Sequence, residues 1–211
     1  MDFAILGPLR VVDGDADIEL GGPRQQRVLA SLLAAHPEEL SADQLVYEVW
    51  NDDPPRTAPH VLRTYLSGLR NSLGERITSD RHHYGVDTSA DRVDAIEFVN
   101  LVDEAETLRR SDPGRAANLL ATAETLWRGR PFGDLGDGSL LLERRASELQ
   151  ATRLRAAEMR LEAELDLGHH EAALSELESL ADAHPFRERI HQLLMLALYR
   201  SERQAEALRA G

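Results

Sequence analysis

The stretch "RTAPHVLRTYLSGLRNSLG" (residues 56–74) decides how this chain is read. At 100° per residue, Leu62, Tyr65, Leu66, Leu69 and Leu73 share one stripe. That spacing predicts an amphipathic helix from about Thr57 to Leu73, with Gly74 as its C′ residue. Opposite the stripe lie Arg56, His60, Arg63, Thr64, Ser67 and Asn71, with Arg70 at the flank. No acid stands between Asp53 and Glu75, although the whole chain carries a formal net charge of −13. A solvated face in so acidic a chain should carry Asp and Glu. This one carries the side chains that hydrogen-bond phosphate oxygens and base edges.

The neighbouring segments give that helix a context. "FAILGPLRVV" (3–12) is β-like and interrupted by Gly-Pro, and "ADIEL" (16–20) alternates as its hairpin partner, with Asp13-Gly14 in the turn. Residues 21–39 read as a helix through the spacing of Val28, Leu29, Leu32 and Leu33. "SADQLVYEVWNDD" (41–53) opens on an N-cap serine and is stopped by Pro54-Pro55. After the third helix, residues 76–88 read as a hairpin, with Ile77, Tyr84 and Val86 around a polar tip. Two helices, a turn, a third helix with a basic polar face and a hairpin make up the order of a winged helix-turn-helix. In that fold the third helix enters the major groove, and the tip would offer Arg81, His82 and His83 to the backbone or minor groove.

From Val93 onward the periodicity is almost wholly helical, broken by Gly and Pro. "EAALSEL" (171–177) returns loosely as "QAEALRA" (204–210), with Ala173 and Ala207 34 residues apart, the tetratricopeptide (TPR) period. Composition shifts near "TSADRVD" (88–94). The expected fold is therefore mainly α with a small β component. A winged helix over 1–90 precedes a TPR-like all-α helical-repeat domain over 91–211.

Composition narrows the classes. The chain has 211 residues and no cysteine, so disulfides, thiolate metal sites and cysteine nucleophiles are excluded. No apolar run approaches the roughly 20 residues of a membrane span, and a cytoplasmic protein fits best. All 24 basic residues are arginine, a planar fork suited to phosphate or guanine. His82-His83 and His169-His170 have no third ligand at helical spacing, so no metal site and no cofactor are expected. "GRPFGDLGDGS" (129–139) lacks the Gly-Lys-Ser/Thr of a phosphate loop and reads as a helix-to-helix connection. No acid pair sits in a catalytic frame, and an enzyme is not expected. Trp50 and Trp127 are expected at domain cores.

Longer stretches resemble one known family, the bacterial antibiotic-pathway regulators called SARPs, which place an OmpR/PhoB-type winged helix before a bacterial transcriptional activation domain. "ILGPLRVV" is similar to the family's opening strand, and "LGGPRQQRVLASLLAAHP" to its first helix. "LVYEVWNDDPPRTAPHVLRTYLSGLRNSLG" is similar to its second helix, Pro-Pro turn and recognition helix. "AETLWRGRPFGDL" and "HPFRERIHQLLMLALYRSERQAEAL" resemble stretches of the activation domain. The resemblance implies a sequence-specific transcriptional activator of double-stranded DNA that binds direct repeats and recruits RNA polymerase. It also implies a homodimer through the helical domain, and a polymerase-contact loop here carrying Asp52, Asp53 and Arg56. The family's Pro-Gly-Tyr wing turn is replaced by His82-His83-Tyr84. The family's helical domain runs on further, so the chain is read as incomplete at its C-terminus.

The expected site is thus His60, Arg63, Thr64, Ser67 and Asn71 on the recognition helix. Arg56, Arg70, Arg81, His82 and His83 are assigned to phosphates or the wing. Residues 1–90 hold eight arginines against fourteen acids, which predicts weak non-specific binding and a shallow salt dependence. The rival reading is a protein-binding adaptor whose repeats bind a partner and whose acidic winged helix has lost DNA.

Overall fold

The computed structural model describes residues 1–208. Strands β1 (Asp2–Ala4), β2 (Arg10–Asp13) and β3 (Ala16–Asp17) open the chain, followed by helix α1 (Pro23–Ala35). Then come β4 (Leu40–Ser41), α2 (Ala42–Trp50), α3 (Ala58–Leu73), β5 (Ile77–Asp80), β6 (His83–Val86) and β7 (Arg92–Val93). The remainder is helical: α4 (Asp94–Leu108), α5 (Pro113–Thr125), α6 (Leu140–Asp166), α7 (His170–Ala183), α8 (Glu188–Arg200) and the short α9 (Gln204–Ala207). Short 3-10 turns at Gly74–Arg76 and Gly133–Gly136 complete the regular structure.

The chain divides into two compact units. One comprises Met1–Glu97 with Leu126–Gln150, the other Phe98–Thr125 with the chain from Ala151 onward. The expected boundary near residue 90 followed composition, whereas these units follow packing. "TSADRVD" is itself built into the first unit. Arg92–Val93 pairs in parallel with β1, giving a sheet of order β3-β2-β1-β7. Asp94 then accepts the backbone N–H groups of Ile5 (2.8 Å) and Leu6 (3.0 Å). Those donors would otherwise lie buried without a partner.

Three local differences from the sequence reading have plain causes. In the β2–β3 hairpin Asp13 faces Ala16, so the two-residue tip is Gly14-Asp15 rather than Asp13-Gly14. Gly14, at φ +59°, supplies the left-handed residue there. The first helix spans 23–35, not 21–39. Pro23 opens it at a position that needs no donor, and Pro37 disfavours helix at His36. Of the two tryptophans, Trp50 is buried and Trp127 only half-buried.

α2 begins as the sequence predicts, with a full capping box. The Ser41 hydroxyl accepts the Gln44 N–H, and the Gln44 side chain accepts the Ser41 N–H. α3 buries Leu62, Leu66, Leu69 and Leu73 almost completely, each contributing about 1.5–3 kcal/mol. Gly74, at φ +68°, ends it. The hairpin β5–β6 extends through β4 into a second sheet of order β4-β6-β5.

The α5–α6 connection folds onto the first unit. Phe132 N–H donates to the Ile5 carbonyl (2.9 Å) and Arg128 N–H to the Leu6 carbonyl (2.8 Å). The Ser139 hydroxyl donates to buried Glu48 (2.5 Å). Phe132 holds a left-handed φ of +64°, tolerated because its ring is fully buried.

In the second unit α7, α8 and α9 share a core of Leu174, Leu177, Ile190, Leu193, Ala197 and Leu198, with Leu161 and Leu165 from α6. Ala173 and Ala207, the two ends of the 34-residue echo, are both buried in it, but Leu174 is buried and Leu208 exposed. Arg209 and Ala210 of the echo lie outside the described residues. Among the described residues no helix is long and apolar enough to cross a membrane.

A candidate nucleic-acid interface

The packing of α3 settles which way its polar face looks. Its leucine stripe faces the core, so His60, Arg63, Thr64, Ser67 and Asn71 all emerge exposed on the opposite side. The Thr64 hydroxyl donates back to the His60 carbonyl at 3.3 Å, within the same helix. Arg56 is exposed just before the helix, beside the exposed Asp52 and Asp53 of the α2–α3 turn. Arg70 differs from these. It is half-buried, and its Nε donates to the Ile77 carbonyl at 3.3 Å, bracing α3 against β5.

The hairpin forms although its turn residues depart from the family's pattern. Asp80 faces His83, leaving Arg81-His82 as a two-residue tip with Arg81 at φ +55°. The His82 carbonyl accepts the Ala42 N–H (3.0 Å), tethering the tip to the start of α2. Arg81, His82 and His83 are all exposed. Gly85 lets the strands approach, since a Cβ there would sit 2.9 Å from the Thr78 hydroxyl.

The electrostatics of the arginines separate this region from the rest of the chain. Of the fifteen described arginines beyond residue 90, thirteen are in ion pairs with acids. Of the eight before it, only Arg10 (with Asp17) and Arg76 (with Asp91) are so paired. The guanidinium groups of Arg56, Arg63 and Arg81 have no hydrogen-bond or ion-pair partner among the described residues. In a chain with surplus carboxylates, α3 and its surroundings present cations that no internal acid neutralises.

One residue of the region escaped the sequence reading. Arg24, exposed in the first turn of α1, lies over the Trp50 ring at 6.0 Å, and Trp50 stacks on Tyr65 of α3 at 6.1 Å and 12°. The available signal was its sign, because a cation in a first helical turn opposes the helix dipole. No group of His, Asp or Glu able to hold a metal ion occurs among the described residues.

A winged helix joined to a helical-repeat unit defines a class of bacterial transcriptional regulators, and the comparisons with known proteins agree. Residues 93–210 match the bacterial transcriptional activator domain family, and residues 15–85 the family of the C-terminal domain of transcriptional regulatory proteins. The chain belongs to the SARP family of regulators. Regulatory protein AfsR of Streptomyces griseus is 36% identical over 208 residues, which cover 98% of this chain and 21% of AfsR. Transcriptional regulator RedD of Streptomyces coelicolor is 31% identical over 220 residues, covering 99% of this chain and 62% of RedD. The solved structure of Mycobacterium tuberculosis EmbR in complex with a low-affinity phosphopeptide superposes with a TM-score of 0.93 at 29% identity. It covers 99% of this chain and 57% of that one. The chain thus spans only part of the length of each of these relatives.

Proposed function

We propose that this chain is a sequence-specific DNA-binding activator that lays α3 in the major groove of double-stranded DNA. The observation that carries the reading is the arginine distribution: Arg56, Arg63 and Arg81, at and around α3, have no acid partner among the described residues, whereas most arginines beyond residue 90 are in ion pairs. Arg63, Thr64 and Ser67 then reach base edges, with His60 and Asn71 at the margins of the contact. Arg56 and the hairpin residues Arg81, His82 and His83 meet the backbone, and Arg70 positions the helix against the hairpin as well as facing phosphate. The same reading makes the chain a cytoplasmic, non-enzymatic regulator. It occupies direct repeats near a promoter as a homodimer through the helical unit, and recruits RNA polymerase through the Asp52, Asp53 and Arg56 turn.

The test is selection from random duplex DNA by the purified chain, followed by titration of the enriched sequence. Recovery of a short direct repeat supports the reading. Absence of enrichment at low salt rejects it and favours a protein-binding role for the helical unit.

A further inference from the structure

The flanks of α3 point to a second phosphate contact on the side away from the hairpin. On a helical wheel the polar face centres near His60, Ser67 and Asn71. Arg70 lies on one flank, where it bonds to β5. Tyr65, Gly68 and Ser72 lie on the other. That second flank meets the start of the chain: the Ser72 hydroxyl donates to the Glu19 carbonyl (3.0 Å), and Gly68 leaves room for Gln25, whose amide would sit 2.7 Å from a Cβ there. Gly22, Pro23, Arg24, Gln25 and Tyr65 line a shallow pocket at this junction. The hairpin with Arg81 and the α1 start with Arg24 therefore bracket α3 from opposite sides. A helix lying in the major groove has a phosphate backbone on each side of it.

Arg24 is held for such a contact rather than spent on the fold. It has no acid partner among the described residues. Its position in the first turn of α1 costs helix stability instead of adding to it. The Arg24 guanidinium lies over Trp50, which stacks on Tyr65 of α3, and its planar fork is pre-organised, so less freedom is lost per hydrogen bond to phosphate.

Resting on the proposed DNA reading, we propose that Arg24 is a phosphate-binding residue. With Arg81 on the hairpin side, it clamps the two DNA strands that flank the major groove occupied by α3.

The experiment is a fluorescence-anisotropy titration of the selected duplex and of an unrelated duplex, across a salt series, with the wild type, Arg24→Ala and Arg24→Lys. Arg24→Ala should weaken both duplexes about equally and reduce the slope of log K against log salt by about 0.9, the value for one phosphate. Arg24→Lys should keep the slope, because the charge remains. A role confined to supporting Trp50 would lower the melting temperature and leave the slope of Arg24→Ala at the wild-type value, which overturns the proposal. Wild type that binds neither duplex brings down the DNA reading itself, an outcome distinct from a wild type that binds with Arg24 making no difference.

Discussion

At the scale of single residues, the reading turns on two kinds of arginine that differ in setting. Arg63 stands exposed on the polar face of α3, on the side towards Arg70, with Thr64, Ser67 and Asn71 beside it, the face that the proposed function lays against base edges. Arg81 sits at the tip of the hairpin, held at φ +55°, and the proposed function assigns it to sugar and phosphate. The two positions predict different losses. Arg63→Ala should cost about 1–3 kcal/mol on the selected duplex and little on an unrelated one, relaxing specificity at one base pair. Arg81→Ala should weaken both duplexes to a similar degree and flatten the salt dependence. Paired titrations on the two duplexes check this, and an Arg63→Ala protein with unchanged affinity for its selected site would remove Arg63 from the groove. Position 63 was legible in the sequence because one helix face without acids in an acidic chain is a local signal. Arg24 was not, because its relation to α3 passes through Trp50 and Tyr65, which only the fold brings together.

At the scale of elements, the parts read correctly are those whose signals are contiguous. Ser41 and Gln44 lie within one turn, and they form the capping box that starts α2. Replacing Ser41 by Ala removes the acceptor for the Gln44 N–H and should lower stability by about 1 kcal/mol, measured by urea unfolding. β7 shows the opposite situation. It is two residues long and its partner is 90 positions away in sequence, so periodicity carries no trace of it. Beside its backbone ladder to β1, an ion pair at the residue before it secures β7. The Arg76 guanidinium, helped by the terminal ammonium of Met1, holds the Asp91 carboxyl below the usual carboxylate range, against burial that pushes it up. A depressed carboxylate contributes stability above its unfolded value of about 3.9, and that contribution is lost as pH falls through the folded value. Asp94 runs the other way. Burial pushes its carboxyl up despite the Ile5 and Leu6 donors, so it favours the folded state as pH falls through its raised value towards about 3.9. Acid unfolding below about pH 4 should therefore be less steep in Asp91→Asn than in the wild type, as followed by circular dichroism against pH. An identical pH profile would show that the Arg76–Asp91 pair does not couple to folding.

At the scale of the whole molecule, the first compact unit is not one continuous stretch of chain. Composition changes near residue 90, and the two family matches meet in the same region. Yet the first compact unit takes in Leu126–Gln150, after the chain has run through part of α4 and all of α5. The sequence could not show this return, because "GRPFGDLGDGS" looks like any glycine-rich connection until Phe132 and Leu142 are seen fully buried. The consequence reaches the proposed interface. Phe132 and Arg128 supply N–H donors to the carbonyls of Ile5 and Leu6 in the first sheet, and Ser139 is the partner of buried Glu48 on α2, the helix that carries Trp50. A chain cut after Glu97 loses all of these at once. The Phe132 side chain alone is worth on the order of 3–5 kcal/mol by analogy with large-to-small core substitutions. Whole domains are stable by only about 5–15 kcal/mol. The cut chain should accordingly give a poorly dispersed amide NMR spectrum and a broad, shallow urea transition, and should bind the selected duplex far more weakly than the full chain. A well-dispersed spectrum with a sharp transition would show instead that residues 1–97 hold their own fold and that the α5–α6 connection merely rests on it.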